Sequence, residues 1–106
     1  MARTLINAPK QARKGDVIEI STLIAHPMET GLRPDADGQT VPQNLIRRFV
    51  CRYDGEVVFS AELFPALAAN PYLSFTTVAV ATGTLSFRWE GDNGFAQTES
   101  VAITVV

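Results

Sequence analysis

Phe49-Val50-Cys51-Arg52-Tyr53-Asp54-Gly55-Glu56-Val57-Val58-Phe59 is the stretch whose reading decides the fold. Phe49, Cys51 and Tyr53 fall on every second residue, the period of a half-buried strand. Asp54-Gly55 follows, a dipeptide that readily supplies the positive φ angles of a two-residue hairpin turn. Val57, Phe59 and Leu63 continue the alternation beyond it, so strands over Asn44 to Tyr53 and Glu56 to Leu63 are expected to pair antiparallel.

Outward from this hairpin the same period recurs. Thr84 to Glu90 alternates through Leu85, Phe87 and Trp89, and Val101, Ile103 and Val105 repeat the pattern at the carboxyl end. Gly91-Asp92-Asn93-Gly94 between them has the residues of a second hairpin turn. Toward the amino end, Asp16 to Ile24 carries Ile18, Ile20 and Ile24 on one face, and Thr4 to Ala8 suits an opening strand. Tyr72 to Ala81, rich in Phe, Thr and Val and bounded by Asn70-Pro71 and Gly83, fits a strand as well. The sole helix-compatible stretch, Phe64 to Asn70, is short and stops at a proline, which leaves no room for a crossover helix between parallel strands. About seven short strands in 106 residues predict an all-β, immunoglobulin-like, two-sheet antiparallel β-sandwich forming a single domain over 1–106. The Cys and Trp spacing of antibody domains is missing, so that likeness is architectural.

Composition narrows the function. With 46% hydrophobic and 19% charged residues the chain has the apolar content of a packed globule. Nine Lys and Arg against eleven Asp and Glu give a net charge of -2, and no basic patch gathers, so nucleic acid is not an expected partner. No apolar run approaches the roughly 20 residues of a membrane span, and Met1 to Leu5 lacks the apolar core of a signal peptide. A soluble chain with no membrane association and no export signal of its own is expected. The single cysteine, Cys51, cannot form an internal disulfide and leaves the compartment open.

Chemistry-bearing residues are sparse. Cys51 and His26 could form a nucleophilic dyad if they met in space, but the alternation puts Cys51 on the apolar face of a strand, where a thiol is a small inert hydrophobe. A lone histidine cannot build a zinc site, and Asp35-Ala36-Asp37-Gly38 lacks the later ligands of a calcium loop and reads as an exposed turn. Acidic residues such as Glu19, Glu29, Glu56, Glu62 and Glu90 are scattered singly, and no glycine-rich loop leads into a helix to cradle a phosphate. No catalytic residue, cofactor or metal is therefore expected. Two segments remain. The connection from His26 to Gln43 is longer than a compact domain ordinarily tolerates without a use for it. Phe64, Pro65, Pro71 and Tyr72 bracket a connection that is either a tight apolar turn covering one end of the sandwich or a patch for another subunit.

Several motifs in order and spacing carry a family resemblance. Ala25-His26-Pro27-Met28-Glu29-Thr30-Gly31 comes first, followed by Val41-Pro42, the stretch Phe49 to Phe59, and Leu63-Phe64-Pro65-Ala66. Ala69-Asn70-Pro71-Tyr72 and Trp89-Glu90-Gly91-Asp92-Asn93-Gly94 complete the set, and together they resemble the SoxZ family over nearly the whole chain. That resemblance implies an immunoglobulin-like fold and a non-catalytic subunit that pairs with SoxY as a heterodimer in the sulfur-compound carrier of thiosulfate oxidation. It places the sulfur intermediates on a cysteine of SoxY's carboxyl-terminal arm; with the ending Ile103-Thr104-Val105-Val106 the present chain is not expected to be that arm. Transient contact with other Sox enzymes and a periplasmic location, reached by co-export with SoxY, are implied in the same way. Partner contacts are expected at His26, Pro27, Met28 and Glu29 and at Phe64, Pro65, Asn70, Pro71 and Tyr72, beside a variable loop over Gly31 to Gly38. A generic immunoglobulin-like interaction module, a SoxZ-like subunit of another carrier and a Cys/His thiol enzyme are the alternatives.

Overall fold

Strands with one apolar side can bury it by packing one sheet on another, and the computed structural model, described over residues 2–64 and 68–106, has that arrangement. Its strands are β1 (Thr4–Asn7), β2 (Gln11–Ala12), β3 (Val17–Ile24), β4 (Ile46–Tyr53), β5 (Glu56–Glu62), β6 (Tyr72–Val78), β7 (Gly83–Gly91) and β8 (Ala96–Val105). One sheet has the order β1-β3-β6 and the other β2-β8-β7-β4-β5. The immunoglobulin-like sandwich expected from the sequence is present.

Both expected hairpins form. Asp54 (φ 49°) and Gly55 (φ 86°) occupy the left-handed region at the β4–β5 turn. Asp92–Gly94 make one turn of 3-10 helix between β7 and β8, with Asn93 at φ 59°. The strand beyond that turn begins earlier than its apolar alternation at Val101, because Gln97 faces inward and is buried there without being apolar. A β-carbon at Gly91 would lie 2.8 Å from Ile46 Cα, so only glycine lets β7 pass this close to the start of β4.

Two features depart from strict antiparallel alternation. The chain changes sheets after Pro9, and β2 then pairs parallel with β8 through Gln11↔Thr104 and Ala12↔Val105. A two-residue strand has no period to read. The β4–β5 register also shifts, from Cys51↔Phe59 to Arg52↔Val57, leaving Val58 as the extra residue of a bulge. Phe59 consequently turns inward while Val57 is 49% exposed, although the sequence pattern places the two on one face.

The core is aromatic. Phe49 packs against Trp89 (ring centroids 5.3 Å), Phe75 (5.9 Å), Phe59 (6.2 Å) and Phe87 (6.3 Å), and Phe59 stacks on Phe75 at 4.3 Å with the rings nearly parallel. Phe75 belongs to the three-stranded sheet and the others to the five-stranded one, so these contacts tie the sheets together. Tyr53, at the end of β4, reaches with its hydroxyl to the Ala81 carbonyl and accepts from the Ala81 amide at 3.2 Å, pinning the β6–β7 connection.

Candidate partner-docking end

The long connection after β3 folds as a two-armed ribbon. Glu29 and Asn44 exchange backbone hydrogen bonds of 2.8 Å in both directions, Val41 donates to the Arg33 carbonyl at 2.8 Å, and Pro34 bridges to Thr40. At the tip the Asp35 carboxylate accepts from the amides of Asp37 (2.9 Å) and Gln39 (3.0 Å), so Asp35-Ala36-Asp37-Gly38 is a self-capped turn. Residues 32–40 are all exposed, Leu32 at 82%. The molecule measures 58 × 20 × 20 Å.

The His-Pro-Met-Glu motif is the ribbon's root. His26 and Asn70 clasp each other: the His26 amide donates to Asn70 Oδ1 (2.9 Å) and the Asn70 amide donates to the His26 carbonyl (2.7 Å). His26 Nδ1 accepts from the Met28 amide at 3.1 Å, and the imidazole meets the Phe95 ring edge-on at 5.2 Å. Met28, at φ 51°, turns its thioether inward to accept from the Ile46 amide at 3.3 Å. Burial holds the His26 pKa below its ordinary value, with the nearby Asp92 carboxylate pulling the other way.

Asp92 braces the same root from the β7–β8 turn. Its carboxylate accepts from the Leu45 amide (3.0 Å) and from Arg47 Nε (2.9 Å) and Nη2 (3.2 Å), while its own amide donates to the Leu45 carbonyl (2.8 Å). The Arg47 guanidinium keeps the Asp92 carboxyl below the usual carboxylate range. Glu29 is lowered likewise by Arg33, which chelates it at 2.7 Å. Asp92 thus ties Leu45 and Arg47 to the β7–β8 turn, yet as one residue of a turn it carries no signal of that role in the sequence.

The expected partner-contact residues divide by exposure. His26, Met28 and Pro71 are buried and hold the root together, and Asn70, though exposed, is the clasp on His26. Pro27, Phe64 and Tyr72 are exposed, and Glu29 is half-buried in its ion pair. Phe64 lies in a shallow depression with Arg47, Arg48 and Glu62, and Pro65 falls outside the described residues. Tyr72 stands on the solvent face of β6 directly across from Leu23, which stands across from Leu5. Val17 and Leu23 lie on the face of β3 opposite to Ile18, Ile20 and Ile24, with Glu19 and Ser21 between them.

Cys51 is fully buried toward the carboxyl end of β4, five residues beyond the point where Met28 touches Ile46, or about 16 Å. Burial pushes its thiol up to about 11, away from the thiolate that nucleophilic chemistry needs. The structure does not assemble a Cys51–His26 dyad. Among the described residues no group of three or more His, Cys, Asp or Glu side chains could hold a metal, and no helix is long and apolar enough to cross a membrane.

Fold and site together define an immunoglobulin-like β-sandwich with a braced ribbon at one end. The family profile described as Sulphur oxidation protein SoxZ matches residues 6–102. The chain belongs to the SoxZ family. No curated protein sequence gives a significant match. Among solved structures it is similar to superoxide reductase (neelaredoxin) from Ignicoccus hospitalis, with TM-score 0.73, 17% identity, 99% of this chain and 82% of that one. It is also similar to the sulfur carrier protein SoxY from Chlorobium limicola f thiosulfatophilum, with TM-score 0.67, 15% identity, 97% of this chain and 78% of that one. A PKD domain of an M14-like peptidase from a Thermoplasmatales archaeon follows at TM-score 0.57 and 10% identity, covering 96% and 91%. At these identities the likeness is one of fold.

Proposed function

We propose that this chain is the non-catalytic partner subunit of a SoxYZ sulfur-compound carrier. It pairs with SoxY as a heterodimer in the periplasm, and the SoxY arm cysteine bears the intermediates of thiosulfate oxidation while other Sox enzymes engage the complex transiently. The observation that carries this reading is the family match across residues 6–102. Two features of the chain support it: its one thiol is buried with a raised pKa, and its elaborated end is a rigidly rooted ribbon whose hydrogen bonds serve shape. A fixed, charge-braced projection suits holding another chain in one orientation.

The test is co-expression with SoxY from the same source, purification through a tag on this chain alone, and sizing of the product. A stoichiometric heterodimer is expected, with Cys51 unlabelled by a thiol reagent at neutral pH until the chain is unfolded. A monodisperse chain that ignores SoxY would overturn the reading, and rapid labelling of native Cys51 would favour a thiol enzyme.

A further inference from the structure

The edges of the two sheets are not equally defended. β1 is four residues long, with Arg3 before it and Pro9 soon after, and β2 has two residues between Lys10 and Arg13. β5 carries Glu56 and Glu62 at its ends and a bulge at Val58. Shortness, charge, proline and bulges all keep a sheet edge from pairing with a further strand. β6, Tyr72-Leu73-Ser74-Phe75-Thr76-Thr77-Val78, has none of them. Its seven residues are uncharged, rich in aromatic and β-branched side chains, and paired with β3 in unbroken register from Tyr72↔Leu23 to Val78↔Val17.

Hydrogen bonds at the two ends of β6 fix which backbone groups are left over. The Pro71 carbonyl accepts from the Ile24 amide at 3.4 Å, and Ala79 donates to the Asp16 carbonyl and accepts from the Gly15 amide, both at 2.8 Å. Odd-numbered residues therefore turn toward β3, and the amides and carbonyls of Tyr72, Ser74, Thr76 and Val78 point off the edge. All four residues are exposed, and among the described residues these backbone groups have no partner. On the opposite flank the chain itself crosses from β1 to β2 and joins the two sheets. A row of strand-spaced donors and acceptors is complementary to one kind of ligand, an extended polypeptide.

Beside the carboxyl half of this edge lies a depression of about 420 Å³, lined by Glu56 and Val58 of β5, Thr77 and Val78 of β6, and Asp54 and Val80 among others. Its charged lining groups are both carboxylates; Arg13, Lys14 and Arg52 stand on neighbouring elements, but none of them lines it. Asp54 Oδ1 accepts from the Thr84 amide at 2.8 Å, whereas Glu56 is exposed and in no ion pair among the described residues. The inward side chains of β6 are Leu73, Phe75 and Thr77, so the residue of an added strand opposite Thr77 points into this depression. A Lys or Arg at that position lays its aliphatic stem on Val58, Val78 and Val80 and sets its charge beside Glu56. A second copy of β6 has no cation to offer there.

We propose that the free edge of β6 is a strand-addition site for an extended segment of another protein, whose backbone pairs with Tyr72, Ser74, Thr76 and Val78 and whose Lys or Arg enters the Glu56 depression. Backbone pairing supplies the affinity and the depression supplies the selectivity. This site stands apart from the carrier-subunit reading, and the outcome of co-expression with SoxY does not bear on it.

The experiment follows the backbone amide resonances of the full-length chain while it is titrated at low salt with a capped heptapeptide of alternating Thr and Val that has Lys at its centre. Two further peptides are compared, one with Glu in place of Lys and one with methyl groups on the backbone nitrogens of the Lys peptide. Saturable shifts at the amides of Ser74, Thr76 and Val78 are expected below about 1 mM Lys peptide, with binding at least tenfold weaker for the other two. Glu56→Gln is expected to weaken the Lys peptide about threefold and to narrow its advantage over the Glu peptide. Thr76→Pro removes an amide that points off the sheet; it is expected to keep a native melting transition and to lose binding at least tenfold. Should Thr76→Pro fail to fold, the methylated peptide carries the same test. Absence of shifts along β6 overturns the site, and so does binding that methylation leaves undiminished, which is ion pairing alone. A chain that dimerises by itself and becomes monomeric in Thr76→Pro assigns the edge to a second copy and overturns the proposal.

Discussion

The two sheets share one core but treat water differently on their outer faces. On the five-stranded sheet, Val50 points outward yet is only 3% exposed, flanked in register by Arg88 on one side and Ser60 on the other, with Arg48 and Arg52 before and after it on β4. Arg88 is tied down to Thr98 at 3.2 Å and to Glu90 at 3.6 Å. Long arginine stems cover the apolar residue and keep their charges in water. On the three-stranded sheet Leu5, Leu23 and Tyr72 stand open, at 67%, 37% and 61% exposed. One face is sealed by its own side chains, and the other is left open along a cross-strand row. The lesson is that outward-facing apolar residues are not equivalent: what stands beside them across the strands decides whether they are structural or available.

Replacing Phe49 by Ala should have the largest effect, because its ring touches both sheets and neither outer face can compensate; a loss of about 3–5 kcal/mol in denaturant unfolding is expected. A loss near 1 kcal/mol would mean that the sheets hold together without the aromatic core. Val50→Ala and Leu23→Ala then test the contrast directly. The buried Val50 should cost about 1–3 kcal/mol and the open Leu23 less than about 0.5 kcal/mol in the isolated chain. Equal costs would break the distinction between a sealed and an open face.

The inner side of the three-stranded sheet offers a gain. Thr22 is 1% exposed and its hydroxyl has no hydrogen-bond partner among the described residues, so Thr22→Val should raise stability by about 1 kcal/mol, read as a higher denaturant midpoint. No gain would point to a bridging water at that site. The ribbon root responds to acid. Because the folded chain holds the His26 pKa below its ordinary value near 6.5, the neutral ring's contribution is complete above that pH and is lost as pH falls through the lower folded value. Protonation also removes the acceptor for the Met28 amide. The melting temperature should therefore fall from pH 7 toward pH 5, and His26→Gln should flatten that slope; an unchanged slope would place the titration elsewhere.

Legibility followed periodicity. Strands whose inward residues are large and apolar, such as those around Phe49, Ile20 and Phe87, were readable because a period of two survives in the sequence. β2 was invisible because two residues make no pattern. The bulge at Val58 was hidden because Val57, Val58 and Phe59 are all apolar, so a slip of one residue leaves the composition of the segment unchanged. Of the ribbon, its length and its turn residues were legible. Its rooting was not, since it depends on Asp92 and Asn70, which are 63 and 41 positions from Glu29 in the sequence and meet the motif only through packing.

By itself the sequence determined the class of the fold, the two hairpins, the inert setting of Cys51 and the family. These depend on local alternation, on turn residues with positive φ and on ordered motifs, none of which needs a partner strand to be known. Tertiary structure alone decided that His26, Met28 and Pro71 turn inward while Tyr72 joins Leu5 and Leu23 on an open face. The reason is register: a side chain's face follows from its own strand, but its neighbours across the sheet are fixed by which strands pair and at what offset.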